Sequence, residues 1–160
     1  MKRIGIFENS IPEKSIKINK RNKSAELNLT GDSIDLETLY KIECFFLGII
    51  KKNINKVYFK MNFKYVNITA NFVLLEYIIA DFLQNKDVDL EIEFNIDHEI
   101  ISYNFYQSSI LKKYVDNEID KYQYINEVFN KRNKFYNSNS FRWYISVNDS
   151  KTETVSLSFT

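Results

Sequence analysis

The sequence predicts an α/β protein: a mixed sheet of roughly four to six strands, with helices mainly on one face and a C-terminal helix and β-hairpin added. Three observations predict it. Val57, Phe59, Met61 and Phe63 alternate with Lys56, Tyr58, Lys60, Asn62 and Lys64. Val88, Leu90, Ile92, Phe94 and Ile96 alternate with Asp89, Glu91, Glu93 and Asn95. Such period-two runs are half-buried strands. Between them, Asn67 to Asn85 carries Phe72, Leu75, Ile78, Ile79, Phe82 and Leu83 at the spacing of an amphipathic helix. Strand, crossover helix and strand make a parallel unit with a right-handed connection.

The polar halves of the two strands define the layering. A doubly wound sheet buries both faces, and its strands are then nearly continuous apolar runs. Here one face is charged: Lys56, Lys60 and Lys64 on one strand, Asp89, Glu91 and Glu93 on the other. The helices therefore belong mainly on one side. If the two strands are neighbours, opposite charges face each other across them.

Upstream, Ile16 and Ile18, then Ala25, Leu27 and Leu29, alternate on either side of Lys20-Arg21-Asn22-Lys23, which reads as a hairpin. Thr30-Gly31-Asp32-Ser33 breaks the pattern, and Asp32, Ser33 and Asp35 are all able helix caps. The helix from about Asp35 to Lys52 is very apolar, with Leu36, Leu39, Ile42, Phe45, Phe46, Ile49 and Ile50, and should lie against the sheet. A short strand is expected over Lys2–Phe7. Downstream, Glu99–Gln107 fits a short helix, Ser108 or Ser109 can cap another, and Asp120–Phe135 has a third helical pattern. Phe141, Trp143, Ile145 and Val147, then Val155, Leu157 and Phe159, alternate around Asn148–Lys151 as a C-terminal hairpin.

At 160 residues the chain suits a single domain, 1–160. The net charge of +1 implies no bulk attraction to polyanions. Cys44 is the only cysteine, so no intramolecular disulfide exists; its apolar surroundings predict a reduced core thiol. No secretion signal is expected at the start, and no apolar run reaches the ~18 residues of a membrane span. The chain reads as cytoplasmic, without membrane association.

Chemical signatures are sparse. Gly5, Gly31 and Gly48 are too far apart for a phosphate-binding loop, and no cofactor is expected. His98 is the only histidine; it sits at a strand end in a polar break and reads as a surface residue, so no catalytic centre is expected, and Asp97, His98 and Glu99 would point apart along a strand, so no metal site is expected. A basic and aromatic segment supplies Lys131, Arg132, Lys134, Arg142 and Tyr144, types that hold phosphates and stack on bases. Core packing with a solvated basic rim accounts for the same residues.

From Ala25 to about Val115, the order strand, strand, helix, strand, helix, strand, helix resembles the STAS domain, the family of the bacterial anti-anti-sigma factors. On that resemblance the core spans about 25–115, and the C-terminal helix and hairpin, about 117–160, are an extension. In the family an Asp-Ser-Ala-Gly-like turn enters the second helix and its Ser is phosphorylated. Here Ile68-Thr69-Ala70-Asn71 stands at that place: Thr69 takes the Ser position and Ala70 matches, while Ile68 and Asn71 replace the Asp and Gly. The resemblance implies a non-enzymatic regulatory module that binds a protein partner through Asn67, Thr69, Asn71 and Phe72 and the helix up to Leu83. Independently of any family, Thr69 and Asn67 are good cap residues, and a phosphate at a helix N-terminus meets free N–H groups. Two alternatives stand beside this: a small immunity or antitoxin-type inhibitor, and a nucleic-acid binder using the basic segment. Exposed sheet edges also allow a homodimer.

Overall fold

The hairpin forms where the lysine-rich turn predicts it. In the computed structural model, which describes residues 15–66, 69–96, 106–132 and 141–142, strand β1 (Ile16–Asn19) runs antiparallel to β2 (Ser24–Ile34). The Asn19 side-chain oxygen accepts from the Asn22 backbone N–H at 3.1 Å and closes the turn. Asn55 donates its backbone N–H to the Lys23 carbonyl at 2.9 Å, which ties the turn to the loop before the next parallel strand.

β2 is longer than its sequence pattern implies. It continues through Gly31 to Ile34, where the sequence reads as a break after Thr30. The reason lies in its neighbour β3 (Lys56–Val66), which supplies ladder partners as far as Ile34↔Val66. Gly31 lies opposite Phe63, and a Cβ there would stand 3.2 Å from the Phe63 ring. The missing side chain lets that ring close over the strand.

Helix α1 (Leu36–Ile50) connects β2 to β3. Of the three candidate caps, Asp35 is the one used: its carboxylate accepts from the Thr38 N–H at 2.9 Å and the Thr38 hydroxyl at 2.8 Å. Helix α2 (Thr69–Asn85) connects β3 to β4 (Asp89–Ile96). The sheet order is β1-β2-β3-β4, with β2, β3 and β4 mutually parallel. Each crossover joins adjacent strands, so connections of one hand place α1 and α2 on the same face. Leu27, Phe59 and Ile92 line that face together with the inner residues of both helices. Phe46 of α1 stacks on Phe82 of α2 at 4.2 Å and meets Phe59 edge-on at 5.5 Å, locking helix to helix and helix to sheet.

The opposite face is wet, as the alternation requires: Lys60, Asn62, Glu91 and Glu93 are exposed. Lys56 faces Asp89 and Lys60 faces Glu93 in the ladder. The ion pairs, however, run to the other neighbour, Lys60 to Glu26 and Lys64 to Asp32, each at 3.3 Å.

Helix α3 (Ile110–Val115) is capped by Ser109, whose hydroxyl oxygen accepts from the Lys112 N–H at 3.1 Å. Helix α4 (Lys121–Arg132) starts where Asp120 accepts from the Gln123 N–H at 2.8 Å, and it packs on α2. Phe141 and Arg142 are helical, which corrects the expectation of a strand beginning at Phe141. Phe141 is buried with its ring 6.0 Å from that of Tyr77 on α2, so it serves the helical layer and not a ladder. The remainder of that hairpin, the expected Lys2–Phe7 strand and most of the Glu99–Gln107 helix lie outside the described residues; Tyr106 and Gln107, at the end of the last, are helical. One continuous apolar cluster runs from Ala25 to Phe141 and takes in every described helix. Cys44 is buried in the core, as expected.

Candidate functional site

The start of α2 follows the C-terminal end of β3, and its four candidate residues fare differently. Asn67 lies outside the described residues. Thr69, the first helical residue, is half-buried, as is Ala70. Asn71 is buried, and its amide donates to the Ile34 carbonyl at 3.4 Å, which fastens the helix start to the end of β2. Phe72 is buried with its ring edge-on to Phe94 of β4 at 6.0 Å. Asn71 and Phe72 thus hold the corner in place, and Thr69 and Ala70 are its accessible pair.

Along the rest of α2, little surface is free. The sheet, α1 and α4 cover Leu74, Leu75, Ile78, Ile79 and Leu83. Tyr77 and Asp81 are half-buried, and only Gln84 and Asn85 are exposed. The helix from Phe72 to Leu83 is therefore mainly core, because its apolar residues cover more than the single face that an amphipathic helix offers.

On the α4 side lies a polar cluster that sequence reasoning missed. The Glu76 carboxylate is fully buried in mid-helix, accepts from the Leu111 N–H at 2.9 Å, and has the Lys131 ammonium 3.4 Å away. Tyr124, completely buried, donates its hydroxyl to the Glu76 backbone carbonyl at 2.7 Å. Burial raises the Glu76 pKa above the usual glutamate value; the Lys131 charge and the Leu111 N–H pull against that rise. Burial, with the Glu76 charge next, raises the Tyr124 phenol well above the tyrosine range. The signal was available: Glu76 is a lone carboxylate inside the run Phe72–Ala80, which is otherwise apolar or aromatic.

Lys131, expected as part of a basic surface, is thus engaged with Glu76 and only about a third exposed. Arg142 is exposed. Arg132 ends α4, and Lys134, Tyr144 and His98 lie outside the described residues. Among the described residues no group of three histidine, cysteine or carboxylate side chains could hold a metal ion. No described helix is long and apolar enough to cross a membrane. No family model matches the chain, and no curated protein or solved structure matches it either.

Proposed function

We propose that this chain is a non-enzymatic, STAS-like regulatory module of the bacterial cytoplasm, binding a protein partner at the corner where β3 passes into α2. The observation that carries the reading is the division of that corner. Asn71 and Phe72 are buried anchors, and Thr69 and Ala70, the two residues that match the family's turn, are the pair left accessible. The element order from Ile16 to Val115, with parallel strands and helices on one face, supports the same reading. A phosphate on Thr69 would sit beside the free N–H groups of the first turn of α2, and its charge would change what the corner can bind. The corner, not the body of α2, is then the contact surface.

The test begins with affinity purification of tagged protein from its native cell, to obtain a stoichiometric partner. Affinity for that partner is then measured for wild type, Thr69→Ala and Thr69→Glu. A Thr69→Glu change of about tenfold or more, with Thr69→Ala near wild type, supports the reading, since 1.4 kcal/mol is within reach of one buried charge. Equal affinity for all three rejects it.

One observation favours the immunity-type alternative. Glu91 and Glu93 are exposed on β4 and form no ion pair among the described residues. An inhibitor of a basic toxin would use such a row, and a co-purifying basic toxin would decide for it.

A further inference from the structure

The groove between β1 and α1 lies at the end of the sheet opposite Thr69, beside the starts of β2 and β3. Two adjoining hollows of about 640 and 120 Å³ share Ile18 and Lys52. Their floor is apolar, formed by Ile16, Phe45, Gly48 and Ile49 on one side and Ile54 on the other. Their rim is basic: Lys20 and Lys23 from the hairpin turn and Lys52 from the end of α1. None of the three lysines has an ion-pair partner among the described residues. Ile18, between floor and rim, is 41 % exposed. Among the described residues β1 pairs only with β2, which places it at the edge of the described sheet.

Gly48 adds a separate argument. Glycine is, after proline, the least favourable residue inside a helix. A Cβ at Gly48 would meet nothing within 4 Å, so packing does not demand glycine there. What the missing side chain does is keep the smaller hollow open. Lys23 shows a parallel choice: its φ of 55° lies in the left-handed region that favours Gly and Asn, yet the position carries a lysine on the rim.

We propose that this groove binds an extended acidic segment of a partner protein, which adds a strand to the outer edge of β1. An apolar side chain of the segment enters the hollow over Gly48, and its carboxylates meet Lys20, Lys23 and Lys52. Each feature selects one property of the occupant: the edge position of β1 an extended backbone, the open hollow an apolar side chain, the basic rim a negative charge. The inference is independent of the Thr69 corner, which lies at the other end of the sheet.

The probe is a short, fluorescently labelled peptide that alternates glutamate with valine, titrated into the full-length protein and followed by anisotropy. Saturable binding that weakens with added salt is expected. Gly48→Leu fills the hollow while improving helix propensity. It should keep the wild-type circular dichroism and melting temperature or raise the latter, and weaken binding at least about tenfold, the loss expected when an apolar side chain can no longer be buried. Lys23→Asn keeps the left-handed turn and removes one charge, and should weaken binding about two- to fivefold. A proline in the middle of the peptide removes a ladder donor and should abolish binding. The proposal is overturned if a lysine–valine peptide binds as well, if Gly48→Leu binds like wild type, or if no binding occurs at millimolar peptide. It is also overturned if decanoate displaces the peptide and the proline-containing peptide binds equally, which would make the groove a site for acyl carboxylates.

Discussion

The Lys131 ammonium lies 3.4 Å from the Glu76 carboxylate, and the pair joins the end of α4 to the middle of α2 across 55 residues of chain. Glu76 is buried and Lys131 partly exposed, so the two partners contribute unequally. Removing Lys131 leaves a buried carboxylate with the backbone N–H groups of Ile110 and Leu111 but no countercharge; removing the charge of Glu76 leaves a lysine that can turn to water. Lys131→Met should therefore destabilise the fold by about 1–3 kcal/mol, the range for a buried group stripped of a partner. Glu76→Gln should cost less, and the double variant should recover part of the Lys131→Met loss. Urea unfolding of the four proteins in a double-mutant cycle checks this. Equal costs for the two single variants would refute the asymmetry.

Glu76 also sets the sign of a pH dependence. Its pKa is raised in the folded protein, chiefly by burial, while the unfolded chain titrates near the ordinary 4.5. Between those two values the native state holds a proton that the unfolded state has released, so stability falls as pH rises through the window and levels off above the folded value. Glu76→Gln removes this slope, and melting temperatures of variant and wild type should separate in the variant's favour as pH rises from 4.5. Parallel curves would exclude the effect. Tyr106 and Tyr114 repeat the sign at alkaline pH: burial pushes both from 10 to about 12, so stability should fall again as pH climbs through that interval.

The strands, helices and wet face were legible because they depend on periods of two and 3.6 that burial enforces. Lys56–Lys64 and Val88–Ile96 alternate without exception, and the ladder pairs Lys56 with Asp89 as their charges suggest. What the pattern could not carry was choice among equivalents. Asp32, Ser33 and Asp35 are all cap types; only the run of β2 to Ile34 decides for Asp35, and that run depends on a neighbouring strand. The candidate corner shows the same limit. Phe72 belongs both to the apolar stripe of α2 and to the corner, and the choice between them is made by β4, which places Phe94 against its edge. Lys131 reads as a surface charge until α4 docks and brings it to Glu76.

The cap assignment is itself testable. Asp35→Ala removes the acceptor for both the Thr38 N–H and the Thr38 hydroxyl, and should cost about 1 kcal/mol. Asp32→Ala removes only an ion pair between two well-exposed side chains and should stay within about 0.5 kcal/mol of wild type. Chemical unfolding of both variants gives the comparison, and a larger loss at Asp32 would reverse the assignment.

Phe46 offers the sharpest test of how the layers are held. Its ring stacks on Phe82 and meets Phe59 edge-on, so it is the point at which α1, α2 and β3 touch. It is almost completely buried, and truncation leaves a cavity bounded by three elements that are each fixed by other contacts. Such a site cannot collapse to fill the space, and Phe46→Ala should cost about 3–5 kcal/mol. Tyr58→Ser makes the useful contrast. Tyr58 points from β3 to the wet face and is exposed, so the same loss of an aromatic ring should cost far less, on the order of 1 kcal/mol or below. Thermal unfolding of the two variants separates the faces of the sheet. A similar loss in both would mean that the wet face is also packed, and that Tyr58 has a covering the described residues do not supply.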